Sequence, residues 1–136
     1  MILDHPAVSG FVTHCGWNSV TEGVASGVPM LTWPVYSYEF YDEKLITRVL
    51  KIGVEVGSRV SNFESRPVIG KEEIQRAAAQ LMDDGDESNE MRKRAKELWE
   101  VAKRSVEKGG HLNYLDLDRL IEDLKDVREK TQRHGG

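Results

Sequence analysis

Gly10-Phe11-Val12-Thr13-His14-Cys15-Gly16-Trp17-Asn18-Ser19 reads as a strand that turns sharply into a helix. Residues 10–14 are a short β-prone run, Cys15-Gly16 end it with Gly16 at the turn, and Asn18-Ser19 offer a helix N-cap. The helix should stop near Ser26-Gly27, because Gly27 suits the C-terminal cap and Pro29 cannot continue a helix. A turn of this kind presents free backbone N–H groups and the positive end of a helix dipole, the geometry that receives a phosphate. The Ser19 hydroxyl and the Asn18 amide add donors, and His14 at the strand tip can donate to a second phosphate oxygen. Glu22, about one turn further on, can accept from both hydroxyls of a ribose. The same residues also suit an ordinary capped helix after a strand.

Outward from this stretch, residues 28–33 read as a second buried strand and residues 34–38 as loop. Phe40, Leu45, Val49 and Leu50 recur at near-helical spacing and predict a helix ending at Gly53, followed by a third short strand over 54–56. Residues 58–70 hold Ser, Asn, Pro and Gly and suit a surface loop. Ile74, Ala77, Ala78 and Leu81 stripe a helix closed by Asp84-Gly85. Met91, Ala95, Leu98, Ala102 and Val106 stripe another, broken by Gly109-Gly110, and Leu117, Leu120, Ile121, Leu124 and Val127 line a last one.

Strands alternating with helices imply an α/β fold with parallel pairing through right-handed crossovers. Three short strands are few for a sheet covered on both faces, so the pattern predicts a partial doubly wound parallel sheet with a helical C-terminal extension. The expected division is 1–85 for the partial Rossmann-like sheet and 86–136 for the helical extension of the same domain. Phe11, Val12, Leu31 and Trp33 are expected to present apolar surface where neighbouring strands would otherwise lie.

The 136 residues suit one domain or a piece of one. Nineteen Lys and Arg against 23 Asp and Glu leave a net charge of −4, which gives no electrostatic footprint for nucleic acid or an anionic membrane. The segment between Trp17 and Tyr41 holds Trp33, Tyr36, Tyr38 and Phe40 without a Lys or Arg, so base stacking would lack its cationic groove. Cys15 is the single cysteine and no zinc spacing joins it to His5, His14, His111 or His134, so neither an internal disulfide nor a metal site is expected. A His14–Cys15 nucleophile pair is also unexpected, since adjacent strand residues point to opposite faces. Without a recognisable leader or a run of about 18 apolar residues, the sequence reads as soluble and cytoplasmic.

The literal string narrows this further. His5-Pro6, residues 10–19, Glu22, Gly27-Val28-Pro29 and Pro34 closely resemble the signature box of plant secondary-product UDP-glycosyltransferases. Glu43-Lys44-Leu45, Gly53-Val54-Glu55-Val56-Gly57 and Gly109-Gly110 are similar as well, so the resemblance runs through nearly the whole chain. It implies the second half of the C-terminal, nucleotide-binding domain of a twin-Rossmann enzyme. Such an enzyme holds a UDP-sugar and transfers the sugar, a hexose and in most cases glucose, with inversion to a small lipophilic acceptor, without a metal. By match to the box, His14, Asn18 and Ser19 would hold the diphosphate above the turn at Gly16, Glu22 the ribose, and Trp17 would sit beside the sugar through its main chain or ring.

The family usually places an acidic residue and Gln where this chain has Tyr38-Glu39, the pair that grips the sugar hydroxyls. An ionised Glu39 accepts hydrogen bonds but cannot donate as Gln does. Asp42, one turn on, could substitute as an acceptor, though an aspartate so placed is more often a solvated helix residue. The box normally opens with a Trp-Ala-Pro-Gln stretch that stacks on uracil, which would precede Met1, and an amino-terminal domain supplies the general-base histidine and the acceptor pocket. No residue of this chain is therefore expected to be catalytic. The rival expectation is an inactive truncated fragment, or a weak UDP-binding module without transfer activity.

Overall fold

A computed structural model describes residues 2–36, 38–58, 68–107, 119, 121 and 122. After a 3₁₀ turn at Ile2–Asp4, the chain enters β1 (Phe11–Thr13) and α1 (Trp17–Ser26), then β2 (Met30–Thr32). α2 (Glu39–Lys44) widens into a π-helical segment at Leu45–Leu50, and β3 (Gly53–Glu55), α3 (Lys71–Met82) and α4 (Asp86–Val106) follow. The strands pair in parallel in the order β1-β2-β3, with Phe11 beside Met30 and Met30 beside Gly53. Each parallel pair is joined through a helix, as parallel geometry requires.

Alternation along β2 sends its side chains to two separate cores. Met30 packs with Cys15, Val20, Ile46, Ile52 and Ala95, and with the partly buried Phe11, Val24, Leu50 and Leu98. Leu31 packs on the other side with Val54, Val56, Ala77, Leu81 and Met91. Full burial of a side chain such as Met30 or Ile46 contributes roughly 1.5–3 kcal/mol. Arg92 of α4 donates to the carbonyls of Leu81 and Asp83 at 3.2 and 2.6 Å, so a guanidinium closes the C-terminus of α3.

The contacts divide the chain into two compact units, Met1–Glu100 and Val101–Gly136. The sheet and the candidate site lie in the first. In the second, the described residues are the end of α4, where Ser105 Oγ donates to the Val101 carbonyl at 2.8 Å, then Glu107 and the helical residues 119, 121 and 122.

Several sequence expectations need correction. α1 starts at Trp17 with Gly16 as N-cap and no side-chain cap, so Asn18 and Ser19 lie inside the first turn. The left-handed residue of the turn is Cys15, at φ 70°, and Gly16 is extended at φ −61°, ψ 143°. Cys15 tolerates this because its N–H donates to Thr13 Oγ1 at 3.0 Å, an alternative backbone partner that short hydroxyl side chains supply. The helical path after β2 ends at Leu50, where Lys51 takes φ 56°, and Gly53 already opens β3. β2 is shorter than 28–33, α3 stops at Met82 and α4 at Val106. Leu31 is buried because α3 covers the sheet there, and Phe11 and Trp33 are half-buried; Val12, at 60% exposure on the outer strand, is the one of the four left open. Gly27 caps α1 in the left-handed conformation as the sequence requires, at φ 65°. The central residues of the 58–70 loop, Gly109-Gly110 and nearly all of the last helix lie outside the described residues.

Candidate functional site

The C-terminal end of β1, the first turn of α1 and the loop between β2 and α2 meet at one corner. His14 leaves the strand just before the left-handed Cys15, and its side chain is 56% exposed. A Cβ on Gly16 would collide with the imidazole Nε2, so glycine here makes room for the ring to lie over the helix N-terminus. The first turn of α1 carries no acidic residue, and no side chain caps its free N–H groups. Trp17 and Asn18 are exposed and Ser19 is half-buried, so the three start the helix at the surface. Glu22 is exposed on the second turn. A non-glycine residue in a left-handed turn beside such a helix end is the kind of strain that clusters at functional positions.

Across the corner stands the β2–α2 loop. Glu39, the first residue of α2, is wholly buried, and its Oε2 accepts from the N–H groups of Val35 and Tyr36 at 2.7 and 2.8 Å. Its Oε1 has no hydrogen-bond partner and lies 3.8 Å from His14 Nε2. Tyr38 is 59% exposed, with its ring parallel to that of Tyr36 at 6.5 Å between centroids. Desolvation, then the neighbouring Glu39 carboxylate, raise the Tyr38 phenol, which keeps it neutral around pH 7.

Behind the corner, burial and then the Glu43 carboxylate push the Cys15 thiol up to about 12, so Cys15 is a neutral core group without nucleophilic thiolate. Glu43 is buried too: Oε1 accepts from Thr32 Oγ1 at 2.9 Å and Oε2 lies 3.5 Å from Lys44 Nζ. Burial raises Glu43 despite these partners. Burial also opposes ionisation of Glu55, but hydrogen bonds from Lys44 and Thr47 and the charges of Lys44 and Arg48 outweigh it and lower that carboxyl.

The structure therefore brings His14, Gly16, Trp17, Asn18, Ser19, Tyr38 and Glu39 to one region, with Glu22 a turn further along α1. Two participants were not legible in the sequence. The left-handed turn at Cys15 has its only sequence cue in Thr13 two residues earlier. The inward turn of Glu39 depends on the backbone N–H groups of a loop that sequence does not place. Among the described residues no group of His, Cys, Asp and Glu side chains could hold a metal ion, and no helix is long and apolar enough to cross a membrane.

Residues 1–100 match the family described as UDP-glucoronosyl and UDP-glucosyl transferase. The chain belongs to this family. It is 53% identical over 134 residues to UDP-glucosyl transferase 73M2 of Saponaria officinalis, covering 98% of this chain and 27% of that protein. It is 48% identical over 128 residues to abscisate beta-glucosyltransferase of Phaseolus angularis, with 92% and 27% covered. The chain thus spans about a quarter of the length of these curated relatives. The solved structure of Glycyrrhiza uralensis UGT73P12, complexed with glycyrrhetinic acid 3-O-monoglucuronide, superposes with a TM-score of 0.86 at 44% identity, over 98% of this chain and 28% of that one. A transferase of the family from Siraitia grosvenorii, in complex with UDP, superposes with a TM-score of 0.77 at 36% identity, over 91% and 27%. These neighbours bear out the α/β reading: the three-stranded parallel sheet is part of a Rossmann-like glycosyltransferase domain.

Proposed function

We propose that the chain is the UDP-sugar-binding part of an inverting glycosyltransferase that moves a hexose, glucose by preference, from UDP-sugar to a small lipophilic acceptor. The observation that carries this is the first turn of α1, which has neither an acidic residue nor a side-chain cap and has the His14 ring lying over it. In this reading the free N–H groups, with His14, Gly16, Asn18 and Ser19, hold the diphosphate of the donor. Glu22 takes the ribose, Trp17 lies beside the sugar, and the exposed Tyr38 faces its hydroxyls, whereas Glu39, expected to do the same, is wholly buried and bonded to the Val35 and Tyr36 N–H groups and does not reach them. Residues 1–85 form the sheet part of the site and 86–136 the helical extension of the same domain. The donor is held without a metal, and the protein works in the cytoplasm. UDP in the Siraitia grosvenorii complex and the glucosyltransferase names of the relatives support the donor class.

The general base and the acceptor pocket lie, in this reading, in an amino-terminal half outside these 136 residues. The purified chain should therefore bind UDP and transfer no sugar. Adding the amino-terminal half of a relative in trans, with UDP-glucose and a phenolic acceptor, tests the assignment by glycoside formation. Transfer by the chain alone would place a base and an acceptor site within it and overturn the division of labour. Binding of UDP with no transfer in the reconstituted mixture would favour the rival reading, a UDP-binding module.

A further inference from the structure

The β2–α2 loop is anchored from within. Glu39 is wholly buried, and its Oε2 accepts from the main-chain N–H groups of Val35 and Tyr36 at 2.7 and 2.8 Å. That anchor uses no tyrosine side chain, and those of Tyr36 and Tyr38 are each more than half exposed. Their rings lie parallel, with 5° between their planes and 6.5 Å between centroids, within the range over which aromatic rings attract each other. Two exposed rings held in one orientation make a flat surface. The face of an aromatic ring is its negative side, so it attracts the electropositive C–H groups of a partner.

The same loop borders the corner at the start of α1, since Glu39 Oε1 lies 3.8 Å from His14 Nε2. We propose that Tyr36 and Tyr38 form a stacking platform for the sugar ring of the donor, so that this chain recognises a hexose by its C–H face and not by a carboxylate gripping its hydroxyls. This deepens the reading above and rests on it in one respect, that the diphosphate of a UDP-sugar sits at the start of α1. Glu22, exposed on the second turn, draws the nucleoside along α1, which leaves the sugar at the other end of the diphosphate facing the loop.

The carboxylate beside the platform does not compete for the sugar, because Oε2 is taken by the two N–H groups and Oε1 is buried. The Tyr38 hydroxyl both donates and accepts and rotates to suit, so it serves a sugar hydroxyl of either configuration. A site that meets one hydroxyl with a buried polar group rejects an analogue that cannot make the bond, whereas an apolar surface discriminates little. The substrate class is therefore UDP-hexoses that differ in the configuration of a single hydroxyl, taken almost alike.

The test is calorimetric titration of the 136-residue chain with UDP, UDP-glucose and its epimer UDP-galactose, with the C–H proton signals of the bound sugars followed by NMR. For the native chain the two UDP-sugars should bind within about threefold of each other. Their sugar C–H signals should move upfield, the mark of protons held over an aromatic face. Tyr38→Ala and Tyr36→Ala should each weaken both UDP-sugars by about three- to tenfold and leave UDP within about twofold. Tyr38→Phe and Tyr36→Phe keep the rings, and should keep the upfield shift and the affinity within about twofold. Absence of the upfield shift in the native chain would overturn the proposal without any variant. So would a loss from Tyr38→Phe as large as that from Tyr38→Ala, which would make the contact one of hydroxyls. An equal loss for UDP in the alanine variants would show that the rings hold the base, and overturn it as well. A preference above about tenfold between the epimers would reveal a group that reads a hydroxyl and remove the substrate class. In each of these results UDP still binds and the donor reading stands; a chain that binds no UDP takes down both.

Discussion

α1 and α3 are entered alike and finished differently. Each has an extended glycine as N-cap, Gly16 at ψ 143° and Gly70 at ψ 161°, and neither has a side-chain cap. In each the cap carbonyl accepts from a residue one turn on, Val20 N–H at 3.1 Å and Ile74 N–H at 3.3 Å. In each a Cβ on the glycine would collide with a side chain folded over the helix end, Nε2 of His14 in one and Oε2 of Glu73 in the other. The second and third helical residues differ: Asn18 and Ser19 in α1, Glu72 and Glu73 in α3. α3 supplies its own anions to its positive end, whereas α1 carries neutral donors and an imidazole. A helix end becomes a candidate site here because the sequence leaves its dipole uncompensated, and both ends are needed to see it.

The sharpest way to break this comparison is to give α1 what α3 has. Asn18→Glu with Ser19→Glu should stabilise the helix by a few tenths to about 1 kcal/mol and weaken UDP binding by roughly 3 kcal/mol or more. Calorimetric titration and a melting curve on the same sample measure both. Unchanged UDP affinity would mean that the phosphates lie elsewhere.

His14→Ala comes next, with an expected loss of about 1.5–3 kcal/mol for UDP and little change for uridine. The matching change at α3, Glu73→Ala, should leave UDP affinity alone. Equal losses for uridine and UDP would show that His14 does not touch phosphate.

Smaller again is the effect of filling the glycine space. In both helices the obstructing atom is the far end of a side chain that can swing away, and both glycines have backbone angles open to any residue. Gly16→Ala should thus cost about 1 kcal/mol in UDP binding by displacing His14 while shifting the melting temperature little. Gly70→Ala should change neither property, and a large drop in stability from either would contradict the folded-over geometry.

The smallest effect separates the two sides of the sheet. α1's side buries the carboxylates Glu39 and Glu43, whereas the buried polar side chain near α3, among the described residues, is Ser88, which donates to the Gln80 carbonyl at 2.7 Å. Because the folded state raises Glu43 above its usual 4.5, it binds more protons than the unfolded chain just above that pH, and stability falls as pH rises through this window. Glu55 has the opposite sign: its lowered carboxyl contributes stability above 4.5 that is lost on acidification below it. Glu43→Gln should flatten the melting-temperature profile above pH 4.5 and leave the acid limb. A profile unchanged above pH 4.5 would mean that the buried carboxyl is not strained by ionisation.

Much of this architecture was legible because it depends on local chemistry. Gly27 followed by Pro29 stops α1, and the 3.6-residue stripes of α3 and α4 survive in the cores they form, through Ala77 and Leu81 and through Met91 and Ala95. What was not legible depends on residues without a local reason to behave as they do. Cys15 and Lys51 adopt left-handed angles that sequence reserves for glycine, which moved the turn and the end of the second helix away from Gly16 and Gly53. Leu31 was expected on open surface because three strands cannot shield one another, but α3 returns from more than 35 residues along the chain to cover it. At the site, residue types announced a strand turning sharply into a helix, yet the burial of Glu39 follows from two loop N–H groups that only the folded chain brings within reach.

Cys15 is the single cysteine, fully buried in the left-handed turn that joins strand to site. Its thiol cannot meet a maleimide while that corner is closed, so the labelling rate of the native chain counts how often the corner opens. An anion seated on α1 should slow that clock in proportion to its occupancy, and one covalent tag per chain makes the count readable by mass.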